Sequence, residues 1–248
     1  MHIYLSIDDT DNLDSPGSGH LAEAMAKELQ HHGLTSQCLN ITRHQLFFHE
    51  SIPYTSHNSS MCFPAVINED NLSKVIQFAK DFLEKGSAPG SDPGLCVAVE
   101  REKLDRQALI DFGLQAKKQV FTKQDAYLLA QRTGVHLSEH GGTGDGIIGA
   151  LAGIGLRLNG SDGRFRGWLN LGKAGHTISL KNLCSYSAVD AVVADDGMIL
   201  PEDTLITFAE DKVKTVCHNY RQVIPVTRTD NANGSSWTTL TKAEVKRF

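Results

Sequence analysis

The sequence predicts an α/β (α+β) protein with a small β-rich region at its C-terminal end. Two observations carry this prediction. Apolar, β-branched runs alternate with amphipathic helical stretches over roughly the first 155 of the 248 residues, which is typical of strands packed against helices. From residue 167 onward, short alternating runs separated by turn residues replace the helices, as in a small antiparallel sheet.

The first strand is expected at residues 2–7, where β-branched and aromatic residues precede a run of aspartates. A helix follows at 19–32, because apolar side chains recur at helical spacing and Gly33 is a typical C-terminal cap. Further strands are predicted at 37–42 and 61–67. The first helix is therefore expected to pack on a sheet formed by these strands.

The middle of the chain has the pattern helix, strand, helix, helix. Residues 71–85 carry a single apolar stripe and form the clearest helix. After a loop rich in glycine, serine and proline come a strand at 95–99 and helices at 105–112 and 123–133. Together with the strand that precedes them, these elements predict a small split βαβ layer.

The C-terminal region is predicted to hold five short strands, at 168–171, 176–180, 191–193, 205–208 and 223–226. Residues 229–246 are polar, and we expect them to form a partly ordered tail. The strands around Val192 and Ile206 have the pattern of exposed edges, so they could pair across a homodimer.

Composition excludes several classes of protein. The formal net charge is −5 and the sequence pI is about 6.1, so the overall charge does not favour nucleic acid. No apolar run is long enough to span a membrane and no signal peptide precedes the first strand, which predicts a cytoplasmic protein. The five cysteines are scattered without zinc-ribbon spacing, which predicts buried free thiols rather than disulfides.

The most informative segment is residues 8–19, the acidic loop, which begins with three carboxylates within four residues directly after the first strand. Carboxylates so close together repel, and proteins usually neutralise them with a hard cation or hydrogen-bond donors. Asp8 and Asp9 are candidate ligands of magnesium bound with a nucleotide, and Ser18 is a candidate phosphate contact at a helix start. The alternative is structural, with an Asx-type turn formed by the aspartates and Asn12 and an ordinary N-cap at Ser18.

A second segment, residues 141–146, is called the glycine loop and leads into a helix that contains Gly149 and Gly153. Glycine costs a helix roughly 1 kcal/mol per site relative to alanine, so two glycines one turn apart predict very close packing. We expect this packing under the sheet or near the acidic loop. The glycine loop matches neither a Walker A nor a dinucleotide motif. It predicts close approach by a ligand or, alternatively, a tight turn before a closely packed helix.

A polar loop at 53–60 offers many hydroxyl and amide groups between apolar segments. Such loops commonly carry binding groups, and the alternative is a solvated turn.

Four segments of the chain occur together in a recognisable order: SIDDTD at 6–11, IPYTSHN at 52–58, SDPG at 91–94 and GDGIIGALAGIG at 144–155. They resemble the agmatinylcytidine synthetases, the archaeal enzyme family that joins agmatine to the wobble cytidine of an isoleucine tRNA. The resemblance covers about the first 155 residues. Its most specific part is the Asp-Asp-Thr-Asp motif combined with the glycine-interrupted helix.

The resemblance implies a kinase-like α/β catalytic domain with a ferredoxin-like split βαβ companion, using ATP and magnesium. In that family ATP phosphorylates a carbonyl oxygen, and an amine then displaces the activated oxygen. The implied domains are a first kinase-like segment at 1–60, a ferredoxin-like region at 61–134, the glycine loop and helix completing the core at 135–188, and a β-rich extension at 189–248.

The resemblance also implies roles for individual residues. Ser18 stands where the family has a threonine hydroxyl, which is a candidate phosphate ligand or transient phosphoacceptor. The residues implied to be catalytic are Asp8, Asp9, Asp11 and Ser18, and the implied metal ligands are Asp8 and Asp9. The implied nucleotide contacts are Thr10, Gly17, Asn58, Gly142, Thr143, Gly144 and Asp145.

The chain departs from the family pattern in two ways. Two cations of the family's phosphate loop are missing at 55–57, where His57, His20 or Arg43 could partly replace them. The zinc ribbon is also missing, because no cysteine pairs exist to build it. With an acidic chain, these losses favour a small-molecule acceptor over tRNA.

Three functional hypotheses follow. The first is a magnesium- and ATP-dependent enzyme that phosphorylates or activates a small substrate, because phosphoryl transfer needs mainly positioning and charge neutralisation. The second is a tRNA-modifying synthetase that takes its RNA-binding part from a partner chain. The third, favoured by the missing cations, is a nucleotide-binding regulatory module that has lost catalysis.

Overall fold

The computed structural model describes residues 1–52, 57–195, 197–198, 200–231 and 234–248. The predicted binding role of residues 53–56 in the polar loop falls outside the described residues. The chain divides into two compact units, Met1–Asn159 and Gly160–Phe248. No helix in the described ranges has the length and apolar character needed to cross a membrane.

The first unit contains an antiparallel sheet. Its described strands are β1 (His2–Asp8), β2 (Gln37–Cys38), β3 (Thr42–Gln45), β4 (Ser59–Val66), β5 (Gly94–Val99) and β6 (His136–Glu139). Their order is β6–β5–β1–β4–β3, and β2 pairs with the end of β4 that β3 leaves open. The strand β1 is therefore central, and its C-terminal residue leads directly into the acidic loop.

Helices cover both faces of this sheet. The described helices are α1 (Ser18–His31), a 3-10 turn (Glu69–Asn71), α2 (Leu72–Gly86), α3 (Arg106–Gln115), α4 (Lys123–Thr133) and α5 (Gly146–Asn159). Along β1, Ile3, Leu5 and Ile7 pack in the core beneath α1 and α2, whereas Tyr4 packs in the core with α3, α4 and α5. The mixed α+β architecture predicted from the sequence is thus present.

The predicted split βαβ layer is formed by β4, α2 and β5. Both strands pair with β1 from opposite sides and are antiparallel to it, and α2 connects them. The sheet consequently runs across the predicted boundary at residue 60. The kinase-like and ferredoxin-like domain types and the four-segment division stay predictions.

Helix α5 packs against β1, β4 and β5 and is buried over most of its length. A Cβ atom on Gly149 would lie 1.6 Å from Oδ2 of Asp8, and one on Gly153 would lie 2.3 Å from Oγ of Ser6. Both glycines therefore let the helix backbone reach the polar side chains of β1. The close packing predicted from their spacing is confirmed.

The element bounds show where local sequence decides the structure. Helix α4 has the predicted bounds, because Thr122 and Asp125 form a capping box and Gly134 ends the helix with a left-handed φ of 69°. The single strand predicted at 37–42 is wrong, because the chain forms β2 and β3 and leaves the ladder around Asn40. Asparagine is a poor strand former, which explains the interruption.

All five cysteines are free, as predicted. Cys62, Cys96 and Cys217 are buried, whereas Cys38 and Cys184 are partly buried. Burial raises the pKa of the Cys96 thiol well above its usual value, so this thiol is kept in its unreactive protonated form.

The second unit is rich in β-structure, as predicted. Its described elements are β7 (Arg164–Phe165), β8 (Thr177–Ser179), α6 (Leu180–Leu183), β9 (Ala191–Ala194), β10 (Leu205–Thr207), β11 (Val216–His218), β12 (Arg221–Asn231), β13 (Gly234–Thr239) and a 3-10 turn (Glu244–Arg247). The strand order is β7–β11–β12–β13–β10–β8, and β9 also pairs with β12. Phe208, Ile206 and Ile224 lie in its core.

Three expectations for this region are wrong. Residues 168–171 make only an isolated bridge, between Leu169 and Val213. The sheet is not purely antiparallel, because β9 with β12 and β10 with β13 are parallel pairs. The expected tail instead forms the end of β12, then β13 and a 3-10 turn, because Trp237 packs against the core and hydroxyl groups such as Thr229 and Thr238 bond across the strands.

The predicted dimer edges differ in their pairing. Strand β10 lies between β13 and β8, and Ile206 is fully buried, so the expectation of an exposed edge there is wrong. Among the described strands, β9 pairs with β12 alone. Dimer formation through Val192 stays a prediction.

Candidate functional site

The acidic loop begins at the end of the central strand and is tied to the segment before β5. Asp9 has a left-handed φ of 48°, which turns the chain sharply after β1. Its carbonyl oxygen accepts a hydrogen bond of 3.0 Å from the Asp92 amide, and the Thr10 carbonyl accepts one of 3.0 Å from the Ala88 amide. Two segments that are about 80 residues apart in the sequence are thereby held together.

Asp11 and Ser18 close the acidic loop onto the start of α1. Oδ1 of Asp11 accepts hydrogen bonds from the Ser18 hydroxyl at 2.6 Å and from the Ser18 amide at 3.1 Å. The Ser18 oxygen in turn accepts a bond of 3.3 Å from the Thr10 amide. The alternative interpretation of Ser18 as an N-cap is wrong, because Gly17 is the N-cap. An Asx turn is present, since Oδ1 of Asn12 accepts a hydrogen bond from the Asp14 amide.

Asp8 and Asp9 carry the strongest electrostatic perturbation of the loop. Burial raises the pKa of Asp8 to about 8, and the Asp9 charge adds to this effect. The pKa of Asp9 is raised to about 6, mainly by burial and further by the charges of Asp92, Asp11 and Asp145. Asp11, Asp92 and Asp145 therefore lie close enough to the end of β1 for their charges to raise the pKa of Asp8 or Asp9.

Arg43, on β3, is a positive charge that acts on this cluster. It lowers the pKa of Asp8, although less strongly than burial and the neighbouring carboxylates raise it. Its Nε donates a hydrogen bond of 2.8 Å to the Ser59 hydroxyl, which fixes the guanidinium beside β4. Of the three residues suggested as replacements for the missing cations, Arg43 acts on Asp8 in this way, whereas His20 and His57 are exposed.

The glycine loop is organised by the carboxylate of Asp92. This carboxylate accepts hydrogen bonds from the Thr143 hydroxyl and the Gly144 amide, and one of 3.2 Å from the Asp145 amide. A Cβ atom on Gly142 would lie 2.8 Å from Oδ1 of Asp92, at a left-handed φ of 58°. Asp92 thus occupies the position at the start of α5 where an anion is favoured.

Asn58 is held by the turn between β3 and β4. Its side-chain amide donates a hydrogen bond of 2.7 Å to the Phe47 carbonyl. The backbone carbonyl of Asn58 accepts hydrogen bonds from the Leu46 amide at 2.9 Å and from Nε2 of Gln45 at 2.6 Å. These contacts give Asn58 a structural role, and its role as a nucleotide contact stays a prediction.

The structure brings together two motifs that the sequence places far apart. Asp9 of the acidic loop lies close enough to Asp145 of the glycine loop for the Asp145 charge to raise its pKa. Sequence reasoning missed Asp92, which joins the two loops through its amide and its carboxylate. The signal was available, because Asp92 lies in the SDPG segment that follows a glycine-rich loop and precedes a strand.

The donor atoms of the acidic loop suit a hard cation. Magnesium prefers oxygen ligands and commonly takes one or two protein carboxylates together with substrate phosphates. Asp8 and Asp9 can supply two such carboxylates. Within the described residues, no three His, Cys, Asp or Glu side chains form a ready metal site. The arrangement therefore fits a cation that arrives with phosphate ligands, and magnesium itself stays a proposal.

Comparison with solved structures identifies a shared fold. The chain is similar to a tRNA fluorescent labeling enzyme with a TM-score of 0.53 at 20% identity, covering 62% of this chain and 36% of that chain. It is also similar to TiaS as solved in a complex with an isoleucine tRNA and ATP. That match has a TM-score of 0.53 at 19% identity and covers 62% of this chain and 36% of that chain. Over 62% of its length, the chain shares a fold with part of TiaS. Apo TiaS, named as an agmatidine synthetase that acts on an isoleucine tRNA, gives a TM-score of 0.52 at 19% identity.

Because sequence identity is at most 20% in these comparisons, the likeness to TiaS shows a shared fold alone. The chain spans about a third of the length of the TiaS structures that it matches. No family model and no curated protein matches the chain. The resemblance to the agmatinylcytidine synthetases is confirmed at the level of fold, and this sequence has no cysteine pairs that could form a zinc ribbon.

Proposed function

We propose that the chain is an ATP-dependent enzyme that activates a substrate by phosphoryl transfer at the acidic loop. The observation that supports this function most is the gathering of Asp8, Asp9, Asp11, Asp92 and Asp145 at the end of the central strand. Part of the chain shares a fold with part of TiaS, and one solved TiaS structure is a complex with an isoleucine tRNA and ATP. A cluster of acids in this fold is well suited to a cation-bound polyphosphate.

Asp8 and Asp9 are proposed as the residues that hold magnesium. Their burial and mutual repulsion are unfavourable in the protein alone, and a cation would relieve both. When bound, magnesium would neutralise phosphate charge. Arg43 lies near enough to affect Asp8 and is proposed to contact a phosphate oxygen from the side of β3.

Asp11 and Ser18 are proposed to act as a pair. Because Asp11 accepts both the amide and hydroxyl hydrogens of Ser18, it fixes the hydroxyl at the start of α1. That hydroxyl is the candidate phosphate ligand or phosphoacceptor. Thr10 supports a ligand here, because its hydroxyl is buried and has no hydrogen-bond partner in the part of the chain that is described. Gly17, the N-cap of α1, leaves the approach to this helix start free of a side chain.

The glycine loop is proposed to form the wall against which the nucleotide lies. Gly142, Thr143 and Asp145 are exposed, whereas Gly144 is buried. Since Asp92 already accepts the inward-pointing donors of this loop, the nucleotide would contact its exposed side. Asn58 is proposed to support the same site from the turn after β3.

A small molecule is proposed as the acceptor of the activated group. The formal net charge of −5 gives no general attraction for a polyanion such as RNA. The chain also spans only about a third of TiaS, which is the protein named in complexes with an isoleucine tRNA.

The test is to incubate the purified protein with ATP and magnesium and to quantify ADP, AMP and phosphate. We expect slow release that requires magnesium, because water can replace the missing acceptor. Asp9→Asn should abolish this release, and the matched control Asp14→Asn, an exposed residue of the same loop, should retain it. Equal release by Asp9→Asn would overturn the assignment. Tight ATP binding without any turnover would support the regulatory module instead.

A tRNA-modifying enzyme that works with a partner chain is the second candidate. It is favoured by the fold shared with TiaS, which is named in complexes with an isoleucine tRNA and with agmatine. This candidate predicts tRNA binding that falls by several orders of magnitude between about 50 and 200 mM salt once the partner is added. Filter binding at the two salt concentrations would measure it.

A further inference from the structure

The outer side of the glycine loop is attached to a group of three side chains, Lys123, Tyr127 and Glu139. Lys123 and Tyr127 lie one turn apart at the start of α4, and Glu139 is the last residue of β6. The Tyr127 hydroxyl donates a hydrogen bond of 2.6 Å to Oε1 of Glu139. The Lys123 ammonium lies 3.3 Å from the same carboxylate and donates a hydrogen bond to the Thr143 carbonyl. The three residues are called the clamp below.

Gly144 fits against the clamp without any spare room. A Cβ atom at this position would lie 1.8 Å from Oε2 of Glu139, and the residue has a left-handed φ of 85°. The opposite side of the loop is bonded to Asp92, which accepts the Gly144 amide. The loop is therefore held between two carboxylates, with Asp92 on its inner side and Glu139 on its outer side.

The clamp contributes little to the helix that carries it. Helix α4 already has a capping box at Thr122 and Asp125 and a glycine cap at Gly134. The side chains of Lys123 and Glu139 are 35% and 32% exposed, and ion pairs at such exposure add little to global stability. What the clamp does fix is local: the position of the Thr143 carbonyl and the space beside Gly144.

We propose that Lys123, Tyr127 and Glu139 are positioning residues that hold the glycine loop in the conformation that receives the nucleotide. This inference rests on the proposed function, because it gives the loop a nucleotide to receive. The three side chains act through the loop backbone and touch no ligand themselves. Losing the clamp leaves Asp92 to hold the loop from its other side, so the binding conformation becomes one of several.

The first test measures the loop without any ligand. Amide hydrogen exchange at residues 142–145 should become clearly faster in Lys123→Met and in Tyr127→Phe, with an unchanged melting temperature. Lys123→Arg should restore slow exchange, because a guanidinium can reach both the carbonyl and the carboxylate. Lys118→Met is the matched control, since Lys118 is an exposed lysine between α3 and α4. Unchanged exchange in both clamp variants would overturn the proposal, whatever the protein binds.

The second test measures ATP affinity by calorimetry in the same variants. If the loop adopts the binding conformation for only about a tenth of the time, the apparent Kd for ATP rises about tenfold. We expect this rise in Lys123→Met and recovery of the wild-type Kd in Lys123→Arg. Equal Kd values in wild type and Lys123→Met would also overturn the proposal. Failure of the wild type to bind ATP would refute the proposed function, and the exchange test would then decide separately whether the clamp holds the loop.

Discussion

The acidic loop and the glycine loop lie side by side in the first unit, but they satisfy their polar groups in opposite ways. The glycine loop gives its donors to Asp92 on one side and rests against Glu139 on the other. In the acidic loop, burial and neighbouring charge raise the pKa of Asp8 and Asp9 to about 8 and about 6. The unfavourable electrostatic energy is thus concentrated in the acidic loop, whereas the Gly144 and Asp145 amides of the glycine loop are hydrogen-bonded to Asp92.

This difference assigns different work to the two loops. Carboxylates that are unfavourable in the protein alone are common where a protein binds a cation or performs chemistry. A loop whose donors are already bonded is better suited to fixing the shape of a site. We therefore propose that the acidic loop carries the chemistry and that the glycine loop fixes the shape of the site.

The largest loss of stability is expected for Asp92→Ala, which removes the inner support of the glycine loop. The Gly144 and Asp145 amides and the Thr143 hydroxyl lose their acceptor, which should cost about 3 kcal/mol of unfolding free energy. Urea unfolding followed by circular dichroism measures this loss, with exposed Asp70→Ala as the control. A cost equal to that of the control would mean that the glycine loop is not held as described.

Gly144→Ala should have the next largest effect, and it isolates the outer support. The new Cβ would meet Glu139 at 1.8 Å in a left-handed backbone conformation. Gly134→Ala is a matched control, because Gly134 is also left-handed but has open space around it. We expect Gly144→Ala to be about 1–2 kcal/mol more destabilising than Gly134→Ala in the same unfolding experiment. Equal losses of unfolding free energy in the two variants would indicate that only the left-handed backbone conformation matters and that the Glu139 side chain moves away from the new Cβ.

Ser18→Ala tests how the acidic loop is closed. The variant loses the hydrogen bond from the hydroxyl to Asp11, while the Ser18 amide can still donate to the same oxygen. A loss of about 1 kcal/mol is expected, compared with almost none for the exposed helix residue Ser73→Ala. A neutral Ser18→Ala would argue that the loop is closed by backbone contacts alone.

Asp8→Asn should change stability in the opposite, stabilising direction, with a defined pH dependence. Because the folded protein raises the pKa of Asp8 from 3.8 to about 8, its ionisation opposes folding. The gain in melting temperature from Asn should be absent below about pH 4, grow between about pH 4 and 8, and level off above about pH 8, where Asp8 is ionised in both the folded and the unfolded protein. Thermal melts in EDTA, with Asp14→Asn as the control, measure it. A gain that is constant across this pH range would contradict the electrostatic explanation.

Local signals in the sequence predicted the elements that are locally determined. The caps at Thr122 and Gly134 fixed α4, and the spacing of Gly149 and Gly153 correctly indicated close packing under the sheet. Strand pairing depends on partners far along the chain, so the central position of β1 and the parallel pairs of the second unit were not predictable from alternation alone. The segment around Trp237 looked like a polar tail for the same reason, because its partner strand decides its structure.

The candidate site shows the same division. Asp8, Asp9 and Asp11 are close together in the sequence, so their repulsion follows from the sequence alone. The SDPG segment marks Asp92 as a candidate, but the role of Asp92 depends on contacts with residues more than 50 positions later, and the local pattern does not name those partners. Ser18 shows that even a short-range prediction from sequence can fail. Its hydroxyl bonds to Asp11, and Gly17 rather than Ser18 is the N-cap of α1.

The most direct test of the account is a calorimetric titration of the purified protein with ATP, in the presence and absence of magnesium. The account predicts binding that requires magnesium, that is lost in Asp9→Asn and that persists in the control Asp14→Asn. Binding that is equal with and without magnesium, or equal in Asp9→Asn and wild type, would contradict the assignment of nucleotide chemistry to the acidic loop.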